Sequence, residues 1–292
     1  MGSEQQMGLN PMPFLLAEDL SAIGTMSLGV AIPILAAFGV VTANLPTQIF
    51  STQTEGFNTP AAMSSTTWLR DTLRHWQSQQ LDFSGALIGY VGVDVIMTDL
   101  IQFLSQQSVP LLIVDPVMGD DGALYPGLTS DYVSHMRQLV KLADVITPNW
   151  TEAQLLLEVQ FDELPSEDDL NQVFEQFRLL VKPEAQLVVT GIPTQTGILT
   201  AYQSQADPVI QTILTKKLSG HFYGSGDVFA AILSGALSKQ CSLSEAVSLA
   251  VSGSSVALRQ TASFDGQRRF GMQLSQLLAW LSHQQGVNTT FI

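Results

Sequence analysis

Short apolar runs alternate along the chain with longer segments in which apolar residues recur every three or four positions. Runs such as LLIVD and LVVTG are apolar without alternation, which is typical of strands covered on both faces. The pattern predicts an α/β chain with a mostly parallel sheet between helix layers. The predicted strands are 14–17, 40–45, 85–89, 111–114, 144–146 and 187–190. The predicted helices are 26–38, 66–79, 93–105, 131–142 and 168–181.

The rest of the chain extends this pattern. Residues 202–214 predict one or two antiparallel strands, and the chain after Gly226 is predicted to be mostly helical. Ser followed three residues later by an acidic residue, at 166–169 and 242–245, predicts two helix N-caps. No repeat or linker divides the sequence, so we predict a disordered leader over residues 1–12 and a single domain over 13–292.

The charge balance narrows the range of partners. Among 292 residues there are 26 acidic and 12 basic side chains, a formal net charge of -14. Such a surface repels phosphate backbones and anionic lipid headgroups, so we expect neither nucleic acid nor a membrane as a partner. Cys241 is the only cysteine, which excludes an internal disulfide. We expect this thiol to be buried and the protein to be cytoplasmic.

Residues 20–50 contain no charged side chain, and 22–41 are apolar enough to be mistaken for a membrane span. Pro33 and several glycines interrupt this stretch, and acidic residues precede it. The first basic residue of the chain is Arg70, so there is no basic flank of the kind that orients membrane segments and signal peptides. A buried strand–helix–strand unit is therefore the better interpretation.

Polar residues follow the predicted strands at their carboxyl ends. In open α/β sheets, ligands bind where strands pass into loops at this edge. The sequence therefore predicts a ligand cleft there, lined by Asp19, Tyr90, Asp115, Asn149, Thr190 and Gly191.

The segment GSGD contains the strongest chemical signal. Gly224, Ser225 and Gly226 lead directly into an apolar helix, and small residues let an anion approach the free amides of its first turn. Asp227 beside such an anion site would repel a resting phosphate, which suggests that it accepts a proton from an attacking hydroxyl group. By itself the segment is equally compatible with a loop closed by an Asp cap. The P-loop pattern G-x-x-x-x-G-K-[ST] does not occur in the sequence.

A second group of residues supplies hard oxygen ligands. Asp115 and Asp120 lie in DPVMGD, and Asn149 and Glu152 lie in PNWTE about thirty residues later. Oxygen ligands of this kind suit Mg²⁺ that is bound through water and phosphate. Taken singly, each of these residues is more commonly a cap or a turn residue.

In order along the chain, the segments DLSAIGTMSL, STQT, GYVG, DPVMGD, ITPN-x-x-E and GSGD resemble the ribokinase-like superfamily and, within it, the pyridoxal kinases. The resemblance runs from about Phe14 to the C-terminal helix. It implies a three-layer α/β/α ribokinase-like fold, a homodimer, and transfer of the ATP γ-phosphate to the 5′-hydroxymethyl group of vitamin B6. It also implies ATP with Mg²⁺ as the cofactor, with a monovalent cation as a further candidate.

The resemblance assigns roles by position. Asp227 matches the catalytic base, and Gly224, Ser225 and Gly226 match the anion hole. The remaining matches are Asp115, Asp120 and Glu152 for the metal, Asn149, Thr190, Gly191 and Asp115 for the nucleotide, and Asp19, Thr54 and Tyr90 for the substrate. Two positions depart from the pattern: Gln53 stands where many relatives have His, and Tyr223 is bulkier than expected. Both departures concern the choice among B6 vitamers.

Three alternatives remain open. Hydroxymethylpyrimidine kinases have a similar DPVM segment, although they typically place Cys where this chain has Asp227. A non-catalytic ligand-binding relative would not need the base. A sugar kinase of the same superfamily needs a lid of extra strands, and residues 41–67 leave little room for one.

Overall fold

The computed structural model describes residues 12–54, 56–162 and 164–285. Apart from Met12, the predicted leader lies outside these residues. The strands are β1 Phe14–Ser21, β2 Thr42–Phe50, β3 Ala62–Ser64, β4 Gly85–Ile88, β5 Leu112–Val114, β6 Gly119–Asp120, β7 Ala123–Leu124, β8 Val145–Ile146, β9 Gln186–Pro193, β10 Ile198–Gln203 and β11 Gln211–Thr215. The helices are α1 Leu28–Ala37, α2 Thr66–Ser78, α3 Asp94–Gln106, α4 Ser130–Val140, α5 Trp150–Leu157, α6 Glu167–Leu180, α7 Ser225–Ser238, α8 Leu243–Ala262 and α9 Ser275–Gln285, with a 3₁₀ helix at Asp265–Phe270.

Nine strands form one sheet in the order β11-β10-β9-β8-β5-β4-β1-β2-β3. The six strands from β9 to β2 in this order run parallel, whereas β3, β10 and β11 pair antiparallel at the two edges. A separate hairpin joins β6 and β7. This confirms the prediction of a mostly parallel sheet and of antiparallel strands near residues 202–214.

Helices cover both faces of the sheet, as the uniformly apolar strands predicted. Leu15 and Ala17 of β1 belong to one buried cluster, which includes residues of α2 to α6. Phe14 and Leu16 point to the opposite cluster, which includes residues of α1, α7, α8 and α9. Alternate side chains of a strand point to opposite faces, so β1 contributes to both halves of the core. The three-layer α/β/α fold is therefore confirmed.

All six predicted strands and all five predicted helices are present, with ends displaced by a few residues. The predicted caps at Ser166 and Ser242 are both reciprocal capping boxes. The prediction of a buried thiol was wrong, because Cys241 is partly exposed in the turn before α8. Among the described residues, no helix is long and apolar enough to cross a membrane.

Candidate functional site

The carboxyl ends of the parallel strands open into one cleft of about 2520 Å³. This is larger than a typical pocket for one small ligand, so it has room for two ligands side by side. Its lining includes the predicted site residues Asp19, Thr54, Tyr90, Asp115, Asp120, Asn149, Glu152, Thr190, Gly191, Gly224, Ser225, Gly226 and Asp227. The topology thus brings together side chains that are up to about two hundred residues apart in the sequence.

The glycine segment begins helix α7. Gly224 is the N-cap with φ +84°, a conformation that favours glycine, and a β-carbon there would lie 3.1 Å from the carbonyl oxygen of Thr25. At Gly226 a β-carbon would meet no atom within 4 Å, so the space beside the first turn is open to the cleft. The first amides of a helix lack partners within it, and its dipole favours an anion there. This end of α7 can therefore hold a phosphate group.

Asp227 lies in the first turn of α7, beside that open space. Its Oδ2 accepts a hydrogen bond from the backbone N–H of Ser27 at 2.8 Å. Burial raises the pKa of Asp227, and the bond from Ser27 partly offsets this rise. A carboxylate with a raised pKa is a stronger proton acceptor, and the Ser27 bond fixes its orientation.

Ser27 connects Asp227 to the predicted substrate residue Asp19. The Ser27 hydroxyl donates to Asp19 Oδ1 at 2.6 Å, while its backbone N–H donates to Asp227. Burial raises the pKa of Asp19 to about 7, against the lowering effect of the Ser27 bond. Ser27 itself has φ +43° at the start of α1. Sequence reasoning did not single out Ser27, although it lies within the segment DLSAIGTMSL.

Asp115 is buried directly after β5 and accepts a hydrogen bond from the Thr147 hydroxyl at 3.0 Å. Burial, followed by the charge of Asp227, raises the pKa of Asp115 to about 7. A nearby cation would favour the charged form of Asp115 and so offset the effect of the Asp227 charge.

Glu18 is a third buried carboxyl group, which sequence reasoning missed. It is 2% exposed, and its Oε2 has no hydrogen-bond partner among the described residues. Burial, then the charges of Asp227, Asp19 and Asp115, raise its pKa well above the usual value. The side chain fits because Gly89 lacks a β-carbon, which would lie 2.8 Å from Glu18 Oε1. The only sequence signal is a charged residue inside a buried strand.

Glu152 and Asn149 form the reciprocal capping box of α5. Asn149 Oδ1 accepts from the Glu152 N–H, and Glu152 Oε2 accepts from the Asn149 N–H, both at 2.8 Å. Glu152 Oε1 also accepts from the Met118 N–H at 3.1 Å, and Asn149 Nδ2 donates to the Gly119 carbonyl at 2.9 Å. These contacts tie the DPVMGD loop to α5. Burial and the charge of Asp115 raise the pKa of Glu152 well above its usual value.

Asp120 is exposed on the β6–β7 hairpin. Side-chain atoms of Asp120, Asp121 and His221 that are able to bind metal lie within 4.8 Å of one another. The charge of Asp120 also contributes to the raised pKa of Glu152. Asp115, Asp120 and Glu152 line the same cleft and offer only oxygen atoms, the kind of donor that Mg²⁺ prefers.

The other predicted residues line the cleft at different depths. Tyr90 is partly buried, and burial followed by the charge of Asp19 raises its pKa to about 12. Thr54 is exposed at the rim. Gly191 has φ +68° and follows Thr190, whose N–H donates to the Pro148 carbonyl at 2.9 Å.

The two residues that depart from the family pattern also line the cleft. Tyr223 is partly buried, and its ring centroid lies 4.4 Å from that of His221. Gln53 is 3% exposed, and its Nε2 donates to the Arg269 carbonyl.

Comparison with known proteins was informative at the level of family and fold. The phosphomethylpyrimidine kinase family model matches residues 32–270. The crystal structure of pyridoxal kinase from Lactobacillus plantarum has a TM-score of 0.89 and 36% identity, covering 96% of this chain and 99% of that chain. A putative phosphomethylpyrimidine kinase from Bacteroides thetaiotaomicron, crystallised with pyridoxal, has a TM-score of 0.87 and 25% identity, covering 95% of this chain and 98% of that chain.

Among curated proteins, pyridoxal kinase from Arabidopsis thaliana is 31% identical over 201 residues, which are 65% of this chain and 62% of that protein. Human pyridoxal kinase is 28% identical over 154 residues, 47% of this chain and 48% of that protein. The chain therefore aligns with less than two thirds of either curated relative.

Proposed function

The chain belongs to the phosphomethylpyrimidine kinase family within the ribokinase-like superfamily, and we propose that it transfers the γ-phosphate of ATP to the 5′-hydroxymethyl group of a vitamin B6 compound. The observation that carries this proposal is Asp227, which is oriented by Ser27 at the N-terminal anion site of α7. The hydroxymethylpyrimidine kinases typically have Cys at this position. The 36% identity with a pyridoxal kinase along nearly the whole chain supports the same choice.

In the proposed reaction, Asp227 accepts the proton of the attacking hydroxymethyl group. The amides at the start of α7 donate hydrogen bonds to the oxygens of the transferred phosphoryl group, whose negative charge they stabilise. Asp19, Thr54 and Tyr90 line the same cleft and would contact the vitamin ring.

The nucleotide side of the proposal rests on a second set of residues. Asn149, Thr190 and Gly191 line the cleft and would contact the nucleotide, and Asp115, Asp120 and Glu152 would hold Mg²⁺. When bound, the ion neutralises phosphate charge and helps to orient the phosphates. A cation held there would also offset the repulsion among the carboxyl groups of Glu18, Asp115 and Asp227. A homodimer is proposed from the family resemblance.

Hydroxymethylpyrimidine kinase is the second candidate, because that family model matches the chain. Steady-state phosphorylation of pyridoxine and of hydroxymethylpyrimidine, each with ATP and Mg²⁺, distinguishes the two functions. We expect the larger kcat/KM for pyridoxine. A larger kcat/KM for the pyrimidine would refute the proposal, and turnover of neither compound would favour a non-catalytic relative.

A further inference from the structure

Gln53 carries an unusual hydrogen-bonding arrangement in the cleft. The residue follows β2, is 3% exposed and lines the same cleft as Asp19 and Tyr90. Its Oε1 is buried and has no hydrogen-bond partner among the described residues. Buried amide oxygens in proteins are nearly always paired, so an unpaired one in a residue that lines the cleft is a candidate acceptor for a donor on a bound molecule.

The contact with Arg269 determines which atom of the amide remains available. The Arg269 carbonyl oxygen can only accept a hydrogen bond, so the amide must turn its Nε2 toward it. With Nε2 engaged in this way, Oε1 is the atom left for a ligand. Gln53 therefore offers the cleft an acceptor.

The carbonyl that orients Gln53 belongs to a well-anchored segment. The Arg269 guanidinium lies 4.9 Å from the ring centroid of Phe57 and 5.2 Å from that of Phe270. The neighbouring Phe270 carbonyl accepts from the Thr25 N–H at 2.8 Å. Because contacts on both sides hold this backbone, the amide of Gln53 cannot easily rotate to present its nitrogen instead.

Gln53 also lies close to residues 24–27, a segment that we call the strap. The strap ends at Ser27, whose backbone N–H donates to Asp227. A β-carbon at Gly24 would be 3.9 Å from Gln53 Cγ, and one at Gly224 would be 3.1 Å from the Thr25 carbonyl oxygen. The strap therefore passes between Gln53 and the start of α7. Gln53 and Asp227 line the same cleft, so one bound ring can present its reacting hydroxyl to Asp227 and a neighbouring substituent to Gln53.

We infer that Gln53 is a specificity-determining residue that accepts a hydrogen bond from the ring substituent beside the reacting hydroxymethyl group. This inference rests on the proposed function. B6 vitamers differ at this ring position: the hydroxymethyl group of pyridoxine and the aminomethyl group of pyridoxamine donate hydrogen bonds, whereas the free aldehyde of pyridoxal only accepts them. The site therefore prefers the alcohol and amine forms over the aldehyde.

The test compares pyridoxine with 4-deoxypyridoxine, which lacks only the hydroxyl of that substituent. We expect kcat/KM to be at least about tenfold higher for pyridoxine, because the analogue leaves the buried acceptor unpaired. In Gln53→Leu, which has no acceptor, the ratio of the two kcat/KM values should approach one. Because both substrates are measured on the same variant, a general loss of folded enzyme cancels in the ratio.

Two further variants serve as matched controls. Gln53→His has one ring nitrogen to donate to the Arg269 carbonyl and another to accept, so it should keep a preference for pyridoxine. Arg269→Ala keeps the backbone carbonyl but removes the ring contacts that help to hold it, so its ratio should fall between those of the unmodified protein and Gln53→Leu.

Equal kcat/KM for pyridoxine and 4-deoxypyridoxine in the unmodified protein would overturn the inference and leave the proposed function standing. A ratio that Gln53→Leu leaves unchanged would do the same. Phosphorylation of hydroxymethylpyrimidine without phosphorylation of either pyridine would instead refute the proposed function, and the inference with it.

Discussion

At the scale of single residues, the site is organised around carboxyl groups whose pKa values the fold raises. Glu18, Asp19, Asp115 and Asp227 all have raised pKa values, with burial as the largest cause of each. Ser27 joins two of them by donating its hydroxyl to Asp19 and its amide to Asp227. The protein thus keeps acidic groups in an environment that disfavours their charge, which is typical of functional sites.

Asp19 should make the free energy of unfolding depend measurably on pH. Its pKa rises from 3.8 to about 7 on folding, so the folded state binds this proton more tightly than the unfolded state. The resulting stabilisation is complete below the unfolded pKa and is lost as pH rises through about 7. We therefore expect the free energy of unfolding of the ligand-free protein to fall between about pH 5 and pH 8.

Urea unfolding at these two pH values measures the effect. Asp19→Asn cannot ionise and should reduce the decline, whereas Asp82→Asn, at an exposed position, should leave it unchanged. Other buried carboxyl groups contribute in the same direction, so part of the decline should persist in Asp19→Asn. A decline of the same size in Asp19→Asn and the unmodified protein would contradict the assignment.

Much of this network could not be predicted from the sequence. Asp227 and Asp19 were predicted as site residues, but the contact between Ser27 and Asp227 joins positions 200 residues apart. The burial of Glu18 depends on the missing side chain of Gly89, which follows the neighbouring strand β4. Such contacts follow from the packing of the sheet, and no local pattern of residue types indicates them.

At the scale of elements, the two glycines at the start of α7 have different roles. Gly224 is needed for folding, whereas Gly226 leaves space for a ligand. Gly224 needs glycine for its φ of +84°, whereas a side chain at Gly226 would enter open space. We expect Gly224→Ala to lower the free energy of unfolding by about 1–2 kcal/mol, because an L-residue is strained in this conformation. Gly226→Ala should leave stability unchanged or slightly raised, and it should lower kcat/KM because its methyl group occupies space near the phosphate.

Chemical unfolding and steady-state kinetics of Gly224→Ala and Gly226→Ala test whether these two roles are distinct. Equal losses of stability in the two variants would show that the strained backbone of Gly224 is not the difference between them. Full activity in Gly226→Ala would show that the transferred phosphate binds elsewhere.

Helix α5 combines structural and binding roles in Glu152. Its two oxygens accept from the amides of Met118 and Asn149 in a buried capping box. The single carbonyl oxygen of Glu152→Gln can face only one of these sites, so we expect a loss of about 1–3 kcal/mol of stability for the amide left unpaired. The concentration of Mg²⁺ needed for half-maximal activity should also rise.

Glu245→Gln provides the matched control, since it changes the equivalent residue of the exposed capping box of α8. Thermal unfolding compares the stability of the two variants, and Mg²⁺ titrations compare the Mg²⁺ dependence of their activity. Little change is expected in the control, because water can pair with the freed amide. A Glu152→Gln variant with unaltered stability and Mg²⁺ dependence would argue against both roles.

The element pattern was predicted more completely than the side-chain contacts. Long apolar periodicities located the five helices, and uniformly apolar runs located the six strands. Strands β3, β6 and β7 were missed because they are short and lack the Val, Ile and Leu runs that marked the equally short β5 and β8. The end of β2 was placed too early, at residue 45 rather than Phe50, because Pro46 interrupts the apolar run.

At the scale of the whole molecule, the candidate site residues lie together at one edge of the sheet. Strands β1, β4, β5, β8 and β9 end at the same cleft, and α7 closes it with its amide-rich N-terminus. The parallel topology allowed this convergence to be predicted, because strand ends at one edge meet whatever their separation in sequence. The identity of the substrate depends on finer contacts, such as those of Gln53.

The proposed phosphoryl transfer depends on Asp227 as its base. The most direct measurement compares the unmodified protein with Asp227→Asn, in both the rate of pyridoxine 5′-phosphate formation and the affinity for ATP. We predict a fall in kcat of about 10²–10⁴-fold with little change in ATP affinity, since the base acts on the hydroxyl group rather than on the bound nucleotide. Asp131→Asn, at an exposed position in the first turn of α4, should behave like the unmodified protein. Unchanged turnover in Asp227→Asn would contradict the account.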